Sequence, residues 1–303
     1  DKAYMLIAGG GVTTDDNSPV AQRIKGYLEG SKDPDVTAEV MAWCIKTIPT
    51  LGDTNQVNEF VNKLQAGMDY VDVKELCPST GMTDIAPLES VVDECIPKEL
   101  FRKMQSMKFG KSDAGPGEAA LAILSTKITY ASDADVDEQG GDISIDGVGK
   151  VEVKGNQGRL GPWTTIDKSL TKSLAAWNAY KEVKAAAGEN MPKGLSVQKL
   201  SQAVPEDFPK EEILQAIIDD YKIASFAGNL EIGNPEFRRE WNKVCFNAYQ
   251  ADAGFKGLLL IGQTHYTYAV KAEQLIDSVR LSPAQVIYKG NQLRENMPQL
   301  FIR

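Results

Sequence analysis

The chain has 303 residues, of which 42% are hydrophobic and 25% are charged, and its formal net charge at pH 7 is −9. This composition is ordinary for a globular protein, and the length suffices for one large domain or two smaller ones. No stretch approaches the length of a membrane span, since the apolar run Gly257 to Gly262 is far too short. The negative charge argues against a dedicated tight DNA binder and favours local contact with nucleic acid.

Four cysteines are few for this length, and none has the CxxC or Cys/His spacing of a metal site. We therefore expect reduced thiols and an intracellular, cytoplasmic protein. The sequence begins at Asp1 without a methionine or a signal peptide, which suggests a trimmed or partial product.

The first predicted region, residues 1–108, is expected to be mostly helical. Three of its segments have the apolar spacing or the opening proline of helices: Ala38 to Ile48, Val57 to Ala66 and Pro97 to Met107. Near the start, Gly9-Gly10-Gly11 follows an apolar run. It lacks the third glycine of GxGxxG and the GK[ST] of a P-loop, so we predict a tight turn there.

The second predicted region, residues 109–303, is expected to be an α/β core interrupted by a helical insertion over about residues 190–254. Two helices are predicted in the core. One begins at Pro116, and the other spans Ser169 to Lys184. The predicted strands are Ile128 to Tyr130, the two flanking Gly147-Val148-Gly149, Gly257 to Ile261, and Thr264 to Val270. The predicted helices of the insertion are Ser196 to Ala203, Lys210 to Ile223 and Glu236 to Tyr249.

Two acids and a lysine share one face of the predicted hairpin, because successive side chains of a strand point to opposite faces. The apolar face carries Ile143, Ile145, Val151 and Val153. The polar face carries Asp142, Ser144, Asp146, Lys150, Glu152 and Lys154. If Asp146 pairs with Lys150, then Ser144 lies opposite Glu152 and Asp142 lies opposite Lys154. In that register both carboxylates can reach one ion.

This polar face predicts a divalent-metal site. Mg²⁺ prefers oxygen ligands and usually takes one or two carboxylates, leaving other positions to water and a substrate phosphate. Asp142, Glu152 and the carbonyl of Val153 would hold the ion, and Mn²⁺ could substitute for Mg²⁺. Lys154 would orient the attacking water or stabilise developing negative charge. The alternative is a solvated hairpin whose charged side chains only face water. His265 is the only histidine, which excludes His-based metal clusters.

These residues resemble the PD-(D/E)XK nuclease superfamily over roughly residues 111–184: Asp142 is followed ten positions later by Glu152-x-Lys154, and Glu118 lies in an upstream helix. The resemblance implies a restriction-endonuclease-like mixed central sheet, with a helix after the catalytic strand and a further strand beside it. It also implies that Asp142 and Glu152 are metal ligands and Lys154 is the catalytic lysine. Glu118 would be an accessory acid that contacts metal-bound water. Gly141 stands where the name of the family has proline.

Glu118 also has a structural explanation. It lies in the first turn of a helix opened by Gly115-Pro116-Gly117, and an acid there complements the helix dipole. The sequence leaves the structural and the catalytic roles open.

The segment after the predicted catalytic strand supplies candidate substrate contacts. Gln157 and Arg159 lie in the glycine-rich loop Gly155 to Pro162, and Lys168 and Lys172 follow. Residues 150–184 hold seven basic and three acidic residues, a local charge of +4 that suits contact with phosphates. A plain turn and a solvated lysine face explain the same residues.

Two functional classes remain open. The first is a Mg²⁺-dependent DNA endonuclease or exonuclease that hydrolyses phosphodiester bonds, favoured by the complete set of Asp142, Glu152 and Lys154. The second is a viral structural or complex-associated protein that keeps a nuclease-like fold with little or no catalysis. It is favoured by the negative charge and by helical regions that could bind protein partners. Similarity to phage-encoded proteins in Gly141 to Ile143 and Val151 to Gly155 suggests a virion location in that case.

Overall fold

A computed structural model of the chain describes residues 19–28, 35–92, 94–107, 115–131, 141–161, 171–189, 195–196, 212, 215–216, 219, 235–281, 285–289, 292–296 and 299–302. The predicted glycine turn at residues 9–11 and the predicted substrate residue Lys168 lie outside these ranges.

The described chain begins with helices, and strands become frequent after residue 127. The helices are α1 Pro19–Leu28, α2 Asp35–Thr47, α3 Thr54–Gln65, α4 Val73–Leu76, α5 Cys95–Gln105, α6 Pro116–Leu124, α7 Thr171–Ala186, α8 Pro235–Ala253 and α9 Ala272–Ser278. The strands are β1 Ala86–Pro87, β2 Ile128–Tyr130, β3 Ile143–Ile145, β4 Gly149–Gly155, β5 Leu195–Ser196, β6 Gly257–Ile261, β7 His265–Ala269, β8 Arg280–Leu281, β9 Gln285–Lys289, β10 Gln292–Asn296 and β11 Leu300–Phe301. Among the helices so described, none is both long and apolar enough to cross a membrane.

The chain divides into two compact units. The first comprises Asp1–Asn156, Gly254–Ser278 and Ile302–Arg303, and the second comprises Gln157–Ala253 and Val279–Phe301. This division does not follow the predicted boundary at residue 108, because the N-terminal helices belong to the same unit as the large sheet.

The first unit is built on a six-stranded mixed sheet with the order β1-β7-β6-β4-β3-β2. Strands β4 and β6 are parallel and pair Val151 with Gly257 and Gly155 with Ile261. The other neighbours are antiparallel. The predicted mixed α/β architecture is therefore confirmed, as is the placement of Gly257–Ile261 beside the strand that carries Glu152 and Lys154.

One hydrophobic core joins the N-terminal helices to this sheet. Ile24 of α1, Phe60 of α3, Phe101 of α5, Ile143 of β3 and Leu259 of β6 are all buried in it. Residues Ala119–Leu124 of α6 are each at most 1% exposed, so this helix lies at the centre of the unit. The predicted apolar face of the hairpin is confirmed, since Ile143, Ile145 and Val151 are buried.

Helix α3 begins with a reciprocal cap. The Asp53 carboxylate accepts hydrogen bonds from the amides of Asn55 at 2.8 Å and Gln56 at 3.0 Å, and the Gln56 side chain accepts from the Asp53 amide at 2.9 Å. We expect Asp53→Ala to lower the free energy of unfolding by about 1 kcal/mol, because two helix amides lose their acceptor. Urea denaturation would measure this loss, with Asp84→Ala, an exposed aspartate outside the helices, as the control.

The second unit holds α7, α8 and two small sheets. Strands β10, β9 and β5 form one antiparallel sheet, and β8 pairs with β11. The predicted helix Glu236 to Tyr249 is confirmed within α8. The predicted helix Ser196 to Ala203 is wrong at its first residue, because Ser196 pairs with Ile287 in a strand, and its remaining residues lie outside the described ranges. Of the predicted helix Lys210 to Ile223, the four described positions are helical: Glu212, Gln215, Ala216 and Asp219.

Candidate active site

The hairpin that carries the candidate site has a different register from the predicted one. Ser144 pairs with Lys150 and Ile145 pairs with Gly149, so the loop is Asp146 to Val148. The predicted loop, residues 147–149, is displaced by one position. The Val148 amide donates to the Ile145 carbonyl at 3.0 Å, and the Asp146 amide donates to the carbonyl of Lys127 at 2.9 Å. These two bonds start the turn one residue before the predicted loop. The predicted pairs of Asp146 with Lys150 and of Ser144 with Glu152 are therefore wrong.

Asp142 is held by the backbone on both sides of it. Its amide donates to the Val151 carbonyl at 3.0 Å, and its Oδ2 accepts from the Val153 amide at 2.8 Å. The predicted placement of Asp142 opposite Lys154 is therefore wrong as well. Burial raises the pKa of Asp142 to about 8, the negative charges of Glu118 and Glu152 add to the rise, and Lys154 opposes it.

Gly141 explains why proline is missing before Asp142. Its φ is +84°, and a Cβ at this position would lie 3.1 Å from the backbone nitrogen and oxygen of Val151. Proline holds φ near −65° and cannot adopt this conformation. A proline at position 141 is thus incompatible with the path of this chain segment beside β4.

Glu118 projects from the first turn of α6 and is 7% exposed. Its Oε2 accepts from the Gly115 amide at 3.0 Å and from the Tyr27 hydroxyl at 3.1 Å. Burial raises the pKa of Glu118 to about 7, and the nearby Glu152 charge raises it further, against the effect of these two donors and of Lys154. Glu118 therefore caps its own helix and also lies within the electrostatic reach of the hairpin acids.

Glu152 and Lys154 lie two positions apart on β4, as the predicted polar face requires. Glu152 is 4% exposed, and its Oε1 forms an ion pair with the Nζ of Lys154. A buried carboxylate needs such a partner, because an uncompensated charge in a protein interior costs on the order of several kcal/mol. The structure thus brings together all four predicted catalytic residues: Glu118, Asp142, Glu152 and Lys154.

A cavity of about 490 Å³ opens beside two of these residues, Glu118 and Lys154. It lies where the parallel strands β4 and β6 end, the edge at which open α/β sheets commonly bind ligands. The remaining wall is formed by Gln105, Ser106, Gly115, Pro116, Gly117, Val153, Gly155, Asn156, Ile261, Gly262, Gln263, Thr264 and Ile302.

The predicted substrate residues are placed less fully. Gln157 and Arg159 belong to the second unit, where the Gln157 amide donates to the Leu300 carbonyl at 2.7 Å and Arg159 bridges to Gln299. Lys172 lies in α7, but its side chain is outside the described residues. Lys184, which the sequence places on a basic face, is buried and pairs with Glu189 at 2.5 Å. The role of Gln157, Arg159, Lys168 and Lys172 in substrate binding stays a prediction.

No protein-family model matches this chain, and comparisons with curated proteins and with solved structures found no match. The resemblance to PD-(D/E)XK nucleases therefore depends on the residues of the motif, and it stays a prediction.

Sequence reasoning missed Tyr27, which contacts Glu118 across 91 positions of the chain. A buried tyrosine in an N-terminal helix gives no local signal of a role at a distant hairpin. Only the packing of α1 against α6 and β2 could reveal this contact.

Proposed function

We propose that this protein is a divalent-metal-dependent nuclease that hydrolyses DNA phosphodiester bonds on a core of the PD-(D/E)XK type. One observation carries the proposal. Glu118 of α6, Asp142 before β3, and Glu152 and Lys154 of β4 interact in one cluster, and Glu118 and Lys154 line a cavity at the end of the parallel strands. If the charged side chains of the hairpin only faced water, Glu152 would not be buried and a glutamate from a helix would not lie near them.

The donors of this cluster suit Mg²⁺. Among the described residues, no group of three or more His, Cys, Asp and Glu side chains is arranged to hold a metal ion. The proposed site instead depends on Asp142, Glu152 and the carbonyl of Val153, within the one or two carboxylates that Mg²⁺ usually takes from protein. Burial raises the pKa of Asp142 and the neighbouring acids add to the rise, and a bound dication would oppose both effects by favouring the carboxylate. Mn²⁺ could replace Mg²⁺ on the same oxygen ligands.

In this proposal each residue has a distinct task. When bound, the divalent ion would withdraw charge from the scissile phosphate and activate water for attack. Asp142 is fixed by the Val153 amide, so its second oxygen is held in a constant direction. Lys154, now paired with Glu152, would turn its ammonium group toward the attacking water or the phosphate oxygens. Water attacks phosphorus, one P–O bond breaks, and the leaving oxygen takes up a proton.

The cavity beside Lys154 is the proposed entry for the nucleotide next to the scissile phosphate. A Cβ at Gly155 would meet no atom within 4 Å, so a larger side chain there should fill the cavity without disturbing the fold. We expect Gly155→Val to raise KM for DNA by about ten-fold, because the side chain occupies substrate volume. Steady-state cleavage kinetics would measure it. Gly26→Ala, at an equally open position on α1, should leave KM unchanged.

The direct test is incubation of supercoiled plasmid DNA with the protein in Mg²⁺, in Mn²⁺ and in EDTA. Cleavage in either metal that EDTA abolishes would support the proposal. Failure to cleave in every metal would contradict it and would leave the second candidate, a viral structural or complex-associated protein with a nuclease-like fold.

A further inference from the structure

Tyr27 connects the N-terminal helix α1 to the proposed active site. Its hydroxyl donates to Oε2 of Glu118 at 3.1 Å, and the side chain is buried. Its ring packs edge-on against Tyr130 of β2, with the ring centroids 6.0 Å apart and the planes at 80°. Because the residue is only 1% exposed, water cannot readily replace Glu118 as the partner of the hydroxyl.

We infer that Tyr27 is a positioning residue that fixes the Glu118 carboxyl group for the metal site, an inference that rests on the proposed nuclease function. The carboxyl group accepts hydrogen bonds from the Tyr27 hydroxyl and the Gly115 amide, and both donate to Oε2. Two bonds to one oxygen set the plane of the group, and Oε1 is then the oxygen that can accept from water in the site.

Helix capping alone does not explain this arrangement. The Gly115 amide satisfies the reciprocal bond that a glutamate in the first turn ordinarily makes. The Tyr27 hydroxyl is a second donor, from a helix that has no part in starting α6.

Arg23 lies one turn before Tyr27 on α1 and anchors that helix. Its Nη1 forms an ion pair with Oδ1 of Asp69 at 3.1 Å, and its Nη2 donates to the Met68 carbonyl at 2.7 Å. Residues four apart share a helix face, so this anchor also fixes the depth at which Tyr27 reaches Glu118.

The test compares Tyr27→Phe, Glu118→Gln and the double variant with the parent. Two quantities are measured: the dissociation constant for Mn²⁺, by titration calorimetry, and kcat for plasmid cleavage. We expect Tyr27→Phe to weaken Mn²⁺ binding and to lower kcat, each by about ten-fold, as the loss of an outer-shell hydrogen bond does in metal sites. The double variant should be no worse than Glu118→Gln, because Tyr27 acts through Glu118.

Tyr70→Phe is the matched control. It removes another tyrosine hydroxyl, which donates to the Phe60 carbonyl at 3.5 Å, and it should change neither quantity. If Tyr27→Phe equals the parent in both quantities, or if the effects of the two single variants multiply in the double variant, the inference is wrong and the nuclease proposal stands. If the parent neither binds Mn²⁺ nor cleaves DNA, the nuclease proposal is wrong and this inference fails with it.

Discussion

Lys154→Ala is expected to reduce the rate of plasmid cleavage by roughly 100- to 1,000-fold, the loss that follows removal of one group aimed at transition-state charge. Lys154 forms an ion pair with Glu152 within the cluster. Its removal deletes the group proposed to act on the attacking water or the phosphate. Nicking rates in Mg²⁺ at saturating DNA would measure the loss as kcat rather than KM.

Lys150→Ala is the matched control for this prediction. Lys150 lies on the same strand and the same face as Lys154, opposite Ser144 and nearer the loop. Its replacement should change kcat by less than about three-fold, because Lys150 lies outside the proposed reacting centre. A Lys154→Ala protein that cleaves at the parent rate would remove Lys154 from the mechanism, whatever else the site does.

Lys154→Ala also removes the ammonium group that forms an ion pair with the buried Glu152. That loss destabilises the fold and could itself lower activity. Thermal denaturation of the variant must therefore show that the protein is folded at the temperature of the assay. Lys154→Gln, which keeps a hydrogen-bond donor for Glu152 but no charge, should retain more stability and still lose the activity.

The sequence predicted the parts of the site that depend on short-range rules. The alternation of apolar and polar residues along the hairpin predicted that Ile143 and Val151 are buried. It also predicted that Glu152 and Lys154 share the opposite face. The apolar run Gly257–Ile261 was identifiable as a buried strand, and β4 does pair with it in parallel. Pro116 marked the start of α6 and so placed Glu118 in its first turn.

The register of the hairpin depends on the neighbouring strand. Gly147 and Gly149 both have positive φ, at 76° and 105°, so the glycines alone allow more than one loop. The bond from the Asp146 amide to the carbonyl of Lys127, in the chain segment before β2, selects the loop Asp146 to Val148. Tyr27 was missed for a similar reason, because only tertiary packing joins α1 to Glu118.

One missed element did have a local signal. Strands β9 and β10 pair Lys289 with Gln292, and the two residues between them in sequence are Gly290-Asn291. A Gly-Asn pair flanked by strand-forming residues is typical of a two-residue hairpin. The sequence therefore contained a local signal for this hairpin, which was not predicted.

Asp142→Asn is expected to stabilise the metal-free protein, and to do so much more at pH 8.5 than at pH 5. The pKa of Asp142 is raised to about 8 in the folded protein, against an ordinary value near 4 in the unfolded chain. Between these two values the folded state holds a proton that the unfolded state has lost. The free energy of unfolding of the parent therefore falls as the pH rises through this window. Asparagine stays neutral and does not lose this stability. At pH 8.5 the free energy of unfolding of Asp142→Asn should therefore exceed that of the parent by roughly 2 to 4 kcal/mol.

Urea denaturation in EDTA at pH 5 and pH 8.5 would measure this difference. Asp146→Asn is the control, because Asp146 lies on the same hairpin but is exposed. Addition of Mg²⁺ or Mn²⁺ at pH 8.5 should then narrow this difference, because the parent gains about 2.7 kcal/mol when the metal is at 100 times its dissociation constant. Asp142→Asn should gain far less. If the metal stabilises Asp142→Asn as much as the parent, Asp142 is not a metal ligand. If Asp142→Asn loses stability with rising pH as the parent does, Asp142 is not the group that titrates.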